Sequence, residues 1–69
     1  MRKLTRNAAR CRHCGDVIES RHRHDYRMCK CGSIAVDGGL DYARRAYPGG
    51  NPDDHIEELC EYEEVPDNA

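Results

Sequence analysis

Apolar and polar positions alternate in short runs over the first two-thirds of the chain, and each run is closed by glycine or a polar cluster. Asp16-Val17-Ile18-Glu19-Ser20 has the β-branched content of a strand. His24-Asp25-Tyr26-Arg27-Met28 alternates, with Tyr26 and Met28 on one face, and Arg21-His22-Arg23 forms the turn that joins the two runs into a hairpin. Ser33-Ile34-Ala35-Val36 predicts a third strand, stopped by the turn signal Asp37-Gly38-Gly39. From Leu40 to Tyr47 the pattern fits one or two helical turns, with Leu40, Ala43 and Tyr47 on one face, or a fourth strand with Tyr42 inward.

Pro48-Gly49-Gly50 breaks the chain before its last element. Asn51 is a good N-cap, Pro52 suits the first helical position, and Asp53-Asp54 put negative charge where N–H groups lack partners. Ile56, Leu59 and Cys60 then make a narrow apolar stripe edged by Tyr62, with Glu57, Glu58, Glu61, Glu63 and Glu64 on the other faces. This pattern predicts a C-terminal α-helix ended by Val65-Pro66, with Asp67-Asn68-Ala69 as a tail. On that helix Cys60 packs against the preceding strands as a small apolar residue.

Composition makes the interior the weak point. With 69 residues, no Phe or Trp, 38% hydrophobic and 35% charged residues, the chain is one small domain with a small core. A domain of this size buries only about 60% of its unfolded surface. The formal charge of −2 divides unevenly: Met1–Gly32 carries nine Lys or Arg against three Asp or Glu, and Ser33–Ala69 carries two against ten. Arg2, Lys3, Arg6 and Arg10 make residues 1–10 a basic arm, expected to be a solvated, frayed terminus, or alternatively laid along phosphates or an acidic protein surface.

The candidate chemistry lies in the cysteines. Cys11-Arg12-His13-Cys14-Gly15 and Cys29-Lys30-Cys31-Gly32 are two cysteine pairs, each followed by glycine, with fourteen residues between Cys14 and Cys29. A pair of this kind delivers two thiolates from one tight turn, and the glycine lets that turn take φ > 0. Two such pairs predict one structural Zn²⁺ held by Cys11, Cys14, Cys29 and Cys31. Disulfide and redox readings rank below it, because a redox dithiol does not call for a second pair. The second pair is the tighter Cys-x-Cys, so His22 or His24 is an alternative ligand in place of Cys29 or Cys31. A structural zinc contributes an apparent ~10–16 kcal/mol in small peptides, more than so small a core supplies.

The expected fold is a small metal-stabilised α+β domain: a zinc ribbon of hairpin plus third strand, with a C-terminal α-helix. Residues 1–10 are the arm, 11–47 the ribbon, and 48–69 the Pro/Gly turn, acidic helix and tail. No apolar signal stretch precedes the cysteines and no run approaches membrane-spanning length, so a cytoplasmic protein without a membrane partner is expected. A reducing compartment also preserves thiolate ligands.

The run from Asn7 to Arg45 carries Cys11-x-x-Cys14-Gly15-Asp16, Ile18-Glu19-Ser20, Arg23-His24-Asp25-Tyr26, Cys29-x-Cys31-Gly32-Ser33-Ile34-Ala35-Val36-Asp37-Gly38-Gly39 and Asp41-Tyr42. In these motifs it resembles a family of short, functionally uncharacterised zinc-ribbon proteins of bacteriophages and prophages. The resemblance implies a phage accessory protein with zinc at the four cysteines. The acidic segment from Asn51 lies outside it.

Together these features make the expected function a zinc-stabilised binding module that attaches to a host or phage macromolecule, a protein above all, and modulates or inhibits it. Its contact surface would be the acidic helix at Asp53, Asp54, Glu57, Glu58 and Glu61, whose charge can occupy a basic groove, or the tip of the predicted hairpin. An alternative is a nucleic-acid-binding ribbon using Arg12, Arg21, Arg23 and Lys30. A small metal-dependent enzyme around His22, His24 and Asp25 is a second alternative, ranked lowest because four cysteines fill the coordination sphere that a catalytic zinc leaves open. The chain is therefore expected not to be an enzyme, and its oligomeric state is left open.

Overall fold

Ten consecutive residues, Arg2–Cys11, form β1, the strand around which the larger of two antiparallel sheets is built in this computed structural model, which describes residues 2–66. On one edge β1 pairs with β2 (Val17–Ser20) through Asn7↔Ser20 to Arg10↔Val17. The other edge carries two collinear strands. There β6 (Ile56–Glu58) pairs with Ala9–Cys11 and β7 (Glu61–Glu64) with Arg2–Arg6, across a register shift between Leu4 and Arg6. A smaller sheet contains β3 (Arg27–Met28), β4 (Ala35–Asp37) and β5 (Arg44–Ala46), with β4 in the middle.

Charge explains why the arm is a strand. The register sets Arg2 opposite Glu64, Lys3 opposite Glu63, Arg6 opposite Glu61 and Arg10 opposite Glu57. Unlike charges directly opposite each other stabilise antiparallel pairing. The solvated-terminus reading of residues 2–10 is corrected accordingly, and Met1 lies outside the described residues.

The fold class is corrected as well. Among the described residues there is no α-helix, so the domain is all-β rather than α+β. The N-cap of the predicted helix does form: the Asn51 side chain accepts the Asp53 N–H at 3.1 Å, and Pro52–Asp54 make one 3₁₀ turn. The chain then leaves helical geometry, because Ile56 buries itself by pairing with Cys11 instead. The tail expected at Asp67-Asn68-Ala69 lies outside the described residues. Of the other expectations, β2 and β4 fall on the first and third predicted strands. β3 is only two residues long and pairs with β4, not β2, so the predicted hairpin does not close. Leu40–Tyr47 is neither helix nor a long strand; only Arg44–Ala46 pairs.

The core is small and continuous with the cysteines: Ala9, Cys11, Ile18, Cys29, Ile34, Val36 and Ile56 form one buried cluster. Two buried polar side chains, Asn7 and Ser20, are opposite each other in the β1–β2 pairing and join the sheets. Asn7 donates from Nδ2 to the carbonyls of Asp37 (2.9 Å) and Tyr42 (3.2 Å). Ser20 Oγ donates to the Asp25 carbonyl at 2.7 Å and accepts the Gly39 N–H at 2.9 Å. Buried polar groups satisfied in this way fix one arrangement of the layers.

Candidate metal centre

Each cysteine pair begins at a strand or strand-like end and turns back on itself. In the first, the Gly15 N–H donates to the Cys11 carbonyl at 2.9 Å; in the second, the Gly32 N–H donates to the Cys29 carbonyl at 3.0 Å. Both glycines stand at positive φ, 77° and 75°, which lets the chain reverse immediately after the second sulfur. The two turns thus converge although one pair is a residue shorter.

The convergence brings the Sγ atoms of Cys11, Cys14, Cys29 and Cys31 within 4.8 Å of one another. Cys31 Sγ lies 3.6 Å from both Cys11 Sγ and Cys29 Sγ. A tetrahedron of Zn–S bonds of about 2.3 Å has sulfur–sulfur edges of about 3.8 Å, so the cage fits one such ion. Cys11 and Cys29 are buried in the core cluster, while Cys14 and Cys31 are exposed.

Backbone amides and a hydroxyl prepare three of the sulfurs for the thiolate state. Cys14 is held below the usual thiol range by N–H donation from Asp16 and then Cys31. For Cys31 the Ser33 hydroxyl, 3.2 Å away, does most of this work, helped by the Ser33 N–H. Burial pushes Cys29 upward, but the Ile34 N–H at 3.4 Å and its neighbouring cysteines leave it lowered. Burial dominates at Cys11, pushing it to about 11. A bound cation supplies the positive charge that favours ionisation at such a buried thiol.

Contacts outside the sulfurs tie the turns to each other and to the sheet. Asp16 follows the first turn, and its Oδ2 accepts the N–H of Lys30, inside the second pair, at 3.1 Å. Arg12 N–H donates to the His55 carbonyl at 2.9 Å, and His13 Nε2 lies 2.7 Å from His55 Nδ1. Because His55 Nε2 faces the Gly49 carbonyl at 3.0 Å, it carries the proton, so His55 Nδ1 accepts from His13. The Tyr47 ring stacks on His55. The ties from Asp16 to Lys30 and from Arg12 and His13 to His55 join residues fourteen or more positions apart and have no local sequence signature.

The other predicted residues are scattered. His22 and His24 are exposed on the loop after β2, and neither joins the sulfur cage. Among the described residues the four cysteines are the one group of three or more His, Cys, Asp or Glu able to share an ion. Asp53 and Asp54 are exposed in the 3₁₀ turn. Glu57, Glu58 and Glu61 are engaged within the chain, by Arg10 (3.4 Å), Arg45 (2.8 Å) and Arg6 (3.2 Å). Arg21 pairs with Glu19 and Arg23 with Asp41, both at 3.8 Å. Arg12 and Lys30 occupy the same place in the two turns, directly after the first cysteine, and both are exposed. Cys60, assigned to a helix stripe, sits half-buried 3.0 Å from Arg45 Nη2 instead.

Residues 3–47 match a family described as a domain of unknown function, DUF7695. The chain belongs to that family. The DUF7695 region spans β1 to β5 and contains all four cage cysteines, Asp16, Asn7 and Ser20, whereas β6 and β7 lie beyond it. No curated protein and no solved structure matches the chain. The family description carries no activity, metal or source, so the chemistry of this DUF7695 protein rests on the cage itself.

Proposed function

We propose that this DUF7695 protein is a binding module whose fold is locked by one structural Zn²⁺ at Cys11, Cys14, Cys29 and Cys31. The observation that carries the reading is the cage: four sulfurs near tetrahedral edge distances, two of them in the core. Bound zinc would cross-link the two turns and so supply stability the small core lacks. Four thiolates leave no position for a substrate, which favours attachment over catalysis. The resemblance to short phage zinc-ribbon proteins supports a partner among host or phage macromolecules, in a reducing cytoplasm. X-ray absorption of the purified protein should give four sulfur neighbours at ~2.3 Å and elemental analysis one zinc per chain; oxygen or nitrogen neighbours, or no zinc, would overturn the reading.

The exposed Arg12 and Lys30 favour a second reading, in which the two turns contact phosphates. A gel shift at low salt tests it, since phosphate contacts are strongest there. Retention of DNA or RNA that weakens in Arg12→Ala and Lys30→Ala would support it, and no shift would remove it.

A further inference from the structure

The larger sheet is uneven about β1. β2 covers one edge only along Asn7–Arg10, and its last residue, Ser20, stands opposite Asn7. β6 and β7 both run antiparallel to β1 and are joined by two residues, so they share the opposite edge. The outer edge of β1 from Arg2 to Arg6 therefore faces no strand among the described residues, and Arg2, Lys3 and Thr5 are exposed. An open edge is a template for a further strand, and a two-stranded ribbon is stabilised by a third.

Two features specify what that strand would be. Residues 2–6 carry Arg2, Lys3 and Arg6 and no carboxylate, and across the covered edge they stand opposite Glu64, Glu63 and Glu61, with Arg6 ion-paired to Glu61 at 3.2 Å and to Glu19 at 3.5 Å. A second copy adding its own β1 would set cations against cations, which opposes self-pairing at this edge. Beside the ribbon lies a groove of about 500 Å³ lined by Leu4, Leu40, Tyr42 and Tyr62 together with Arg2, Lys3 and Asp41, the carboxylate being paired with Arg23 at 3.8 Å. Leu40, Tyr42 and Tyr62 keep 49%, 38% and 46% of their surface exposed, so the groove has room for apolar side chains.

We infer that the outer edge of β1, residues 2–6, takes up an extended acidic segment of a partner protein by strand addition. Carboxylates of that segment face Lys3, and its alternate apolar side chains lie on the opposite face, in the groove at Leu4 and Tyr62, where the Arg2 guanidinium already covers the Tyr62 ring at 4.1 Å. The inference rests on the binding-module reading and names its surface.

The test uses the zinc-loaded full chain and two synthetic peptides, one alternating Glu and Val and the other Lys and Val. The Glu/Val peptide should bind at least tenfold more tightly and slow hydrogen exchange of amides within residues 2–6. Lys3→Glu should abolish the preference. Lys3→Gln, which removes the charge without opposing Glu63, should reduce it and keeps the test valid if the reversal fails to fold. Equal binding of the two peptides, protection elsewhere, or peptide-independent association of two copies through this edge would overturn the inference. A pull-down separates the two levels. Partner capture unchanged in Lys3→Gln removes the edge and leaves the module, whereas no capture by the wild-type chain removes the module itself.

Discussion

Arg45 reaches from the smaller sheet and clasps Glu58 on the larger one through two hydrogen bonds of 2.8 Å, Nε to Oε2 and Nη2 to Oε1. The same guanidinium donates to Asn7 Oδ1 at 2.7 Å and to the Ala8 carbonyl at 3.2 Å. Its side chain is only 11% exposed, so it fastens the sheets from within. Hydrogen bonds to charged groups are worth about 1.5–3 kcal/mol each, but Glu58 is half exposed and solvent screens its share. Arg45→Ala should therefore cost about 2–3 kcal/mol in denaturant unfolding of the metal-saturated protein. Arg45→Lys should recover little of it, because one ammonium cannot reproduce the planar fork.

That clasp also shows which parts of the structure local sequence could carry. The cysteine turns are legible because their requirements are local: two sulfurs and a glycine at positive φ within four or five residues. β2 and β4 are legible from Val17, Ile18 and Val36, whose branching suits a pleated strand, with Ile34 directly before β4. The segment after Asn51 misleads because its cap is real and its apolar spacing is helical, while the deciding interactions lie far away. Glu57 pairs with Arg10 and Glu58 with Arg45, and Ile56 completes the core beside Cys11. Long-range pairing overrides a local preference that is worth only tenths of a kcal/mol per residue. The basic arm misleads for the same reason, since its partner strand begins more than fifty residues later.

Glycines in the turn after β4 are held by contact as well as by backbone angle. A Cβ on Gly39 would lie 2.3 Å from the His22 carbonyl carbon, and one on Gly38 would lie 2.0 Å from the Tyr42 carbonyl oxygen. Gly15 has comparable φ, yet nothing lies within 4 Å of the place its Cβ would take. Gly15→Ala should cost about 1–2 kcal/mol, the left-handed penalty alone. Gly39→Ala should cost clearly more, because backbone must also move and the Ser20 bond to the Gly39 N–H is strained. Thermal unfolding of the two metal-loaded variants gives the order; equal costs would show that the turn yields freely.

Asp16 links the two halves of the cage without contributing a ligand. Its N–H supports Cys14 and its carboxylate holds the Lys30 N–H, so one residue orients both turns. Residues that orient ligands in this way change metal affinity by about 10–100-fold when removed. Asp16→Ala should weaken zinc binding by about tenfold in a competition titration with a chromophoric chelator. Asp16→Asn keeps an acceptor oxygen at that place and should retain most of the affinity.

Cys60 separates the metal ligands from the remaining thiol. Its Sγ is near Arg45 and Asn7 and belongs to no ion-sharing group among the described residues. With Zn²⁺ bound, the four cage thiolates are shielded by coordination, and Cys60 alone should react with a thiol reagent under native conditions. Wild-type protein should thus titrate one thiol before chelation and five after it, and Cys60→Ser none and then four. Cys60→Ser should keep one zinc per chain, whereas Cys29→Ser removes a buried ligand and should lose both metal and folded structure. Folding that survives exhaustive chelation would show that the hydrophobic cluster suffices without a metal, and would end the case for a structural zinc.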